Sequence, residues 1–539
     1  MISGFLKFKF MKNIFYIILF FTSSYSVTAQ TYTIDNQVTF GGNQSDVCRL
    51  CKKTSDGDFI LGGFSNSGIS GDKTDSCKGV DYWLVKFNSS FIPQWQKSIR
   101  GNNIDKLFDL LILPDSSIIL IGLSASSIGY DKTVTNYGSN DFWIVKLDKN
   151  QNIIWQKTYG GTTGVQEPVK AILRNNGDVL IAGVSTSDSS GTKTENSRGG
   201  NDYWLIKIDT AGSQLWDRTY GGSDADDLCN MDVFTNGDIL LSGYSRSPIS
   251  GEKTEGHFGS VNDWDNWIIK LDSNGNKLWD KTIGGDSTEQ EGSVAILNNK
   301  IYLASVSASS ISGLKTENSK GGLDYWIIKL DSAGNVIWDK TIGGDQGDIP
   351  KDISIINGNR ILISGSSSSG ISGDKNEVCR VNSDYWIYCI DTNANYIWQK
   401  TIGGTGEDGL FTTLGMSPNH YILAGYSNSG ISGEKTDVCR GNYDYWAVEL
   451  SVLLNNNEQN LSSEIHFAPN PVNDYFYIST GNEEIFNISI FNLLGEKVFE
   501  KENYKTNENI SARKLKSGVY FCKITFNSKI TKTLKFIKN

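Results

Sequence analysis

Asp324-Tyr325-Trp326-Ile327-Ile328-Lys329-Leu330-Asp331, then Ala333-Gly334-Asn335, then Trp338-Asp339-Lys340-Thr341-Ile342-Gly343-Gly344, is the fullest copy of a pattern that recurs along this chain. The Asp-aromatic-Trp tripeptide also begins at Asp81, Asp141, Asp202, Asp384 and Asp444, and Asp265-Asn266-Trp267 lacks only the central aromatic. Successive copies lie 60, 61, 63, 59, 60 and 60 residues apart. The tryptophans of this first signature are Trp83, Trp143, Trp204, Trp267, Trp326, Trp386 and Trp446. A second signature, Trp-Asp/Gln-Lys/Arg, follows the first six copies at Trp95, Trp155, Trp216, Trp279, Trp338 and Trp398. Each runs into Gly-Gly, or into Arg100-Gly101 in the first case. The two positions hold thirteen of the fourteen tryptophans and leave out only Trp264. A fixed period of this length marks a repeat architecture.

Each unit reads as four strands. In the fourth, a first strand after Gly221-Gly222 ends at Asn236-Gly237, a type I′ hairpin signal. A second strand runs from Asp238 to Tyr244, and a long Ser/Gly-rich loop leads to a third that opens at Asp265. There Trp267, Ile269 and Leu271 share one face and Ile268 lies on the other, as in a strand covered on both sides. Asn274-Gly275 turns the chain into a fourth strand, Lys277 to Ile283. A lone sheet of this kind exposes two apolar faces. Radial stacking of such sheets buries them, which predicts an all-β chain whose main body, residues 30–450, is a seven-bladed β-propeller of four-stranded blades.

Closure supports the same reading. The seventh unit has its third strand, Asp444 to Leu450, and then enters Asn455-Asn456-Asn457 with no fourth. Val38-Thr39-Phe40-Gly41-Gly42 matches Lys340-Thr341-Ile342-Gly343-Gly344 without the Trp, so the N-terminal segment 36–42 is predicted to lie beside 444–450 and leave no open edge. The units resemble the SBBP-type β-propeller repeats of bacterial exported proteins over residues 31–450. That resemblance implies a propeller and no particular activity.

After an Asn-rich linker at 451–463 the pattern changes, and residues 464–539 contain no Trp. Pro469-Asn470-Pro471, Tyr475 to Ile478, Ile488 to Gly495, Gly518-Val519-Tyr520 and Lys532 to Ile537 outline a small β domain. In this order they look like the type A sorting domain of type IX secretion substrates, a small Ig-like β-sandwich recognised at the outer membrane. In that family's pattern Pro469, Asn470, Pro471, Gly495, Gly518, Tyr520 and Lys532 would carry the sorting signal. Asn492 stands where the family usually has Asp. An Ig-like adhesion module is the alternative.

The chain's start fits export. Lys7, Lys9 and Lys12 precede an apolar run from Ile14 to Phe21, and Val27-Thr28-Ala29 offers a cleavage site, so residues 1–29 read as a signal peptide. Met1 or Met11 is the start. The run is too short to span a bilayer, and no membrane span is expected in the mature chain. A net charge of −10 argues against a nucleic-acid partner. Cys48 and Cys51 form a C-x-x-C with no second pair and no nearby His, which does not make a zinc site. Cys229 and Cys389 read as core thiols; Cys77, Cys379 and Cys439 share one repeat position, and a bridge among these three, Cys48 and Cys51 is left open.

No catalytic motif stands out. His257, His420 and His466 fall at unrelated repeat positions, and there is no nucleophile elbow or phosphate loop. Two repeated polar features remain. A carboxylate sits four residues after the second Gly in six units, at Asp46, Asp105, Asp226, Glu289, Asp348 and Asp408, with Val165 breaking the series. These acids bond loop amides, or else they ring the channel mouth as ligands for a cation such as calcium or for a polyol. A lysine recurs in every long loop, at Lys73, Lys132, Lys193, Lys253, Lys315, Lys375 and Lys435, and is expected to serve loop architecture by pairing with a neighbouring blade. The expected function is that of a non-catalytic exported propeller with no cofactor. It would meet the type IX machinery through its tail and bind a glycan or protein partner through the long-loop face. A carbohydrate-active lyase or hydrolase and a pure interaction scaffold are the rivals.

Overall fold

The computed structural model describes residues 31–453, 466–479, 485–493, 495–505, 507–526 and 531–539. The expected signal peptide and most of the 451–463 linker lie outside the described residues. The chain divides into two units, one of Tyr32–Val452 and the other carrying the residues from Leu453 onward.

Among the described residues of the larger unit there are seven four-stranded sheets. The sixth is representative: Asp348–Ile356, Arg360–Ser367, Asp384–Asp391 and Tyr396–Ile402 lie side by side in that order. The seventh consists of Asp408–Ser417, His420–Ser427 and Asp444–Leu453, and its fourth position is taken by Thr31–Phe40 from the other end of the chain. The first strand of each sheet packs on the sheet before it, and Asp46–Lys53 packs on Asp408–Ser417 and His420–Ser427, so the succession returns on itself. The architecture is β-propeller-like and all-β.

The third strand of each unit is buried almost throughout, and Asp324–Leu330 exposes little beyond Lys329. It has sheets on both sides, hence its nearly unbroken apolar run. The seven repeat tryptophans are all fully buried. Each indole N–H donates to the residue thirteen positions on: Trp326 to Asp339 at 2.9 Å, Trp386 to Gln399 at 3.0 Å. In the seventh unit Gln37 of the N-terminal strand takes that place, accepting from Trp446 at 3.2 Å.

The residue before each Trp joins one unit to the next. The Tyr82 hydroxyl donates to the Trp143 carbonyl at 2.9 Å and Tyr203 to Trp267 at 3.0 Å. Tyr325 reaches Trp386 at 3.3 Å, Tyr385 reaches Trp446 at 3.1 Å, and Tyr445 closes the series on Trp83 at 3.0 Å. Phe142 keeps only the ring contact, 4.9 Å from Trp204. Asn266 makes neither; its side-chain oxygen accepts from Ser305 at 2.8 Å.

The hairpin at Asn236-Gly237 is not type I′. Gly237 N donates to the Phe234 carbonyl and Phe234 N to the Asp238 carbonyl, both at 2.9 Å, and only Gly237 has positive φ (+92°). This is a type I turn followed by a bulge glycine, which needs one left-handed residue instead of two.

The smaller unit has a four-stranded sheet ordered Lys497–Glu502, Ile485–Asn492, Gly518–Phe526, Thr531–Lys538, and a three-stranded sheet of His466–Ala468, Tyr475–Ser479 and Ile510–Ser511. Phe476, Ile488, Ile490, Cys522 and Phe536 are fully buried in one apolar cluster. Asn470 ties the Pro469-Asn470-Pro471 segment to the last strand by accepting from Ile537 N at 3.0 Å. Tyr520 donates to the Lys516 carbonyl at 2.8 Å. Gly495 adopts φ +81° in the turn where Asn492 Oδ1 accepts from Glu496 N at 3.0 Å. Gly518 pairs with Lys538, and the Lys532 backbone pairs with Ile524.

Candidate functional site

The six repeated acids are fully buried at the start of each innermost strand. Asp348 shows the pattern: one carboxylate oxygen accepts from Gly344 N at 2.7 Å and from the Ser369 hydroxyl at 2.9 Å. Asp46, Asp226 and Asp408 repeat both bonds, to Gly42 and Ser67, Gly222 and Ser247, Gly404 and Ser429. Glu289 accepts from Gly285 N and from the Ser307 and Ser309 hydroxyls. Asp105 accepts from Ser126 at 2.8 Å. Each acid therefore pins the Gly-Gly loop to the long loop of its own unit. They do not line a solvent-filled mouth.

The break in the series is not Val165. The loop after Gly161 is one residue longer, and Gln166 pairs with Ser185 as Asp46 pairs with Ser65. Gln166 Nε2 donates to Ser187 at 2.6 Å, so the third unit fills the site with an amide, while Val165 is exposed.

A second set of buried carboxylates, from the Asp-aromatic-Trp signature, sits beside the first. Asp324 accepts from Lys320 N, Asp202 from Arg198 N and Asp444 from Arg440 N. A Cβ on Gly343 would lie 1.9 Å from Asp324 Oδ1, a crowding that goes with glycine at this position in six of the seven units, Arg100 standing there in the other. Burial pushes Asp81, Asp226, Asp324, Asp384 and Asp444 up to about 6, and Glu289 up to about 7, with the neighbouring acid adding to the rise.

The loop lysines serve their own unit, not a neighbouring blade. Lys73 lies 4.5 Å from the Trp83 ring centroid and Lys375 5.1 Å from that of Trp386. Their ammonium groups donate to fourth-strand hydroxyls: Lys73 to Ser98 at 2.7 Å, Lys193 to Thr219 at 2.6 Å, Lys375 to Thr401 at 2.5 Å. Lys435 does the same to Thr39 of the N-terminal strand. Burial pushes Lys132, Lys193, Lys253, Lys375 and Lys435 down to about 8. Contacts between units come from a residue further along the loop: Arg440 pairs with Asp72 at 3.1 Å, Arg380 with Glu434 at 2.5 Å, and Arg198 with Glu252 at 3.0 Å.

Acids on the innermost strands are also committed. Asp109 accepts from Ala171 N at 3.1 Å, Asp232 from Ile296 N at 2.8 Å and Asp352 from Thr413 N at 2.9 Å, each stitching its unit to the next. Burial alone would raise Asp109, but Lys52 at 2.8 Å and Lys170 at 3.9 Å hold it below the ordinary carboxylate range. Arg49 lies between two rings, 4.9 Å from Phe108 and 4.5 Å from Phe411.

No group of three or more His, Cys, Asp or Glu with metal-holding geometry occurs among the described residues. All eight cysteines are free thiols, including Cys48, Cys51, Cys77, Cys379 and Cys439, so the bridge left open by the sequence does not form. Among the described residues no helix is long and apolar enough to cross a membrane.

The long loops and Gly-Gly loops do share one face: Asp345 N donates to Ser372 and Gln346 N to Ser369, with counterparts around the ring. Its tips carry Ile69, Ile128, Ile249, Ile311, Ile371 and Ile431, each 55–70% exposed. Sequence reasoning passed over these residues because a single Ile among Ser and Gly makes no periodic signal.

Two curated relatives match part of the chain. Regulatory protein FlaEY of Caulobacter vibrioides is 24% identical over 227 residues, 40% of this chain and 23% of its own length. Ulvan lyase NLR42 of Nonlabens ulvanivorans is 26% identical over 258 residues, 41% of this chain and 48% of its own. The chain thus spans about a quarter and about half of the curated relatives it matches. Among solved structures, the Pan2 WD40 domain of Neurospora crassa aligns over 77% of this chain and 95% of its own at 9% identity, with a TM-score of 0.42. Residues 466–539 match the family described as the secretion system C-terminal sorting domain. That segment is a sorting domain of the type IX route, and it marks the chain for secretion or for the outer cell surface.

Proposed function

We propose that this is a seven-bladed, non-catalytic propeller, exported by way of an N-terminal signal peptide. In this reading an Ig-like sorting domain hands it to the type IX machinery, and it binds a glycan or protein partner through the long-loop face. One observation carries the reading: the repeated acids are buried and bonded to loop amides and serines. A glycosidase needs two carboxylates of unequal protonation facing a common substrate. Acids locked under loops, one per unit, serve architecture instead. The long-loop face carries the exposed isoleucine tips and the longer loop of the fourth unit, and exposed loops on a rigid scaffold are where recognition is placed.

The likeness to an ulvan lyase favours a second reading, a carbohydrate-active enzyme working on that same face. Incubating the full-length protein with ulvan and a panel of plant and algal polysaccharides separates the two. Binding without new reducing ends or unsaturated uronate products is expected. Steady product release at catalytic protein concentrations would overturn the non-catalytic reading.

A further inference from the structure

Trp264 is the one tryptophan outside the two repeat positions, and it closes the longest of the long loops. Residues 246–264 number nineteen, whereas the other six loops between second and third strands number fifteen or sixteen. The loop exposes Phe258 at 41%, where other units have Lys, Arg or Tyr, and Val261 in the added length at 76%. The loop is nevertheless fixed. Glu289 N donates to the Trp264 carbonyl at 2.6 Å, Asp263 N donates to the Ser260 carbonyl at 2.9 Å, and Phe258 N donates to Asp265 at 2.8 Å.

The partly exposed indole has defined neighbours. Tyr244 meets it edge-on, with ring centroids 4.9 Å apart and planes at 85°. The Arg246 guanidinium lies 4.5 Å from its centroid. Arg246 Nη2 donates to Asp224 at 3.2 Å, and Asn201 Nδ2 donates to Asp227 at 2.6 Å. Arg246 is the only arginine at its repeat position; the other units have Asn, Ala, Thr or Ser there. This unit alone combines a loop insertion, a Trp and an Arg at the rim.

We propose that Tyr244, Arg246 and Trp264, with Asp224 and Asp227, form a binding site for a neutral saccharide. The proposal rests on reading the long-loop face as the binding face and names its ligand class. The C–H face of a pyranose stacks on an aromatic plane, and its hydroxyls take hydrogen bonds from a guanidinium and give them to carboxylates. An exposed Arg–Asp pair such as Arg246–Asp224 is weakly held, so a ligand can replace part of it at small cost. Two carboxylates against one guanidinium disfavour an anionic sugar. The pinned loop lowers the ordering cost of binding.

Isothermal titration calorimetry on the full-length protein tests this, with cellohexaose, xylohexaose, mannohexaose and laminarihexaose as neutral probes and hexagalacturonate as the acidic one. At least one neutral probe should bind. Trp264→Ala should weaken it at least about tenfold, and Trp264→Phe should keep most of the affinity. Arg246→Ala should weaken it several-fold, with the melting temperature of each variant close to that of the parent. Neutral-probe binding that survives Trp264→Ala would refute the site and leave the face as the binding face. Binding of hexagalacturonate alone, dependent on Trp264, would refute the ligand class. Failure of every probe to bind would overturn both the site and the glycan reading of that face.

Discussion

Phe40→Ala tests the closure of the ring at a single side chain. Phe40 belongs to the strand that completes the seventh sheet, yet its ring packs on the first unit, 5.7 Å from Trp83 and 5.3 Å from Phe87. It is 6% exposed, and Lys435 and Arg440 both bond to Thr39 next to it. Removing a buried phenyl ring leaves a cavity and costs about 3–5 kcal/mol. With an unfolding entropy of about 2.1 cal/mol/K per residue over a domain of this size, each kcal/mol moves the midpoint by about one degree. The melting temperature should therefore fall by about 3–5 °C, and urea unfolding should show a matching loss. Limited proteolysis should cut the variant within 31–42 before any other site. A loss under about 1 kcal/mol, with no new cleavage there, would mean that the N-terminal strand is not part of the ring.

Three further outcomes are expected. Removing residues 464–539 should leave a folded propeller that does not reach the cell surface; surface display of the shortened chain would refute the sorting role. The folded state keeps protons on Asp81, Asp226, Asp324, Asp384, Asp444 and Glu289 up to pH 6 or 7, while the unfolded chain releases them near pH 4, so stability should fall as pH rises through that interval. The loop lysines reverse the trend above about pH 8, because only the unfolded chain still holds those protons; a melting temperature rising steadily from pH 4.5 to 7 would contradict the burial argument. Changing Asp226 and Asp348 together to Asn should cost only modest stability, and a chelator should leave the melting temperature in place; a calcium-dependent rise lost in that double variant would show that the acids hold a cation.

The strands were legible because repetition averages out local ambiguity. The fourth unit's third strand opens at Asp265 and its fourth runs Lys277–Ile283, as read from the pattern, and Thr31–Phe40 lies beside Asp444–Leu453. What failed were readings that depend on three-dimensional register. One extra loop residue made Val165 look like the missing acid and hid Gln166. Counting also cannot tell whether a lysine crosses to the next unit or folds back over its own tryptophan. The loop lysines do the latter, because an ammonium group excluded from water gains most from the nearest indole face and hydroxyl. Asn-Gly suggested a primed turn, but the strands end one residue farther apart and only the glycine is left-handed.

The tyrosine that reaches the next unit's tryptophan carbonyl is missing twice, at Phe142, which keeps the ring contact, and at Asn266, which keeps neither the bond nor the ring. At Asn266 the fourth and fifth units are joined instead by Ser305 donating to Asn266, Ile296 N donating to Asp232 and Asn230 donating to Ser293. A closed ring has no free end at which to fray, so its first opening must occur at an internal joint, and the joint with the weakest bonds sets the cost. The amides flanking Asn266 and Ser305 should then exchange with solvent ahead of those at the other joints. The Trp264 loop sits directly before that joint, so a molecule held by the loop would also act as a clasp across it.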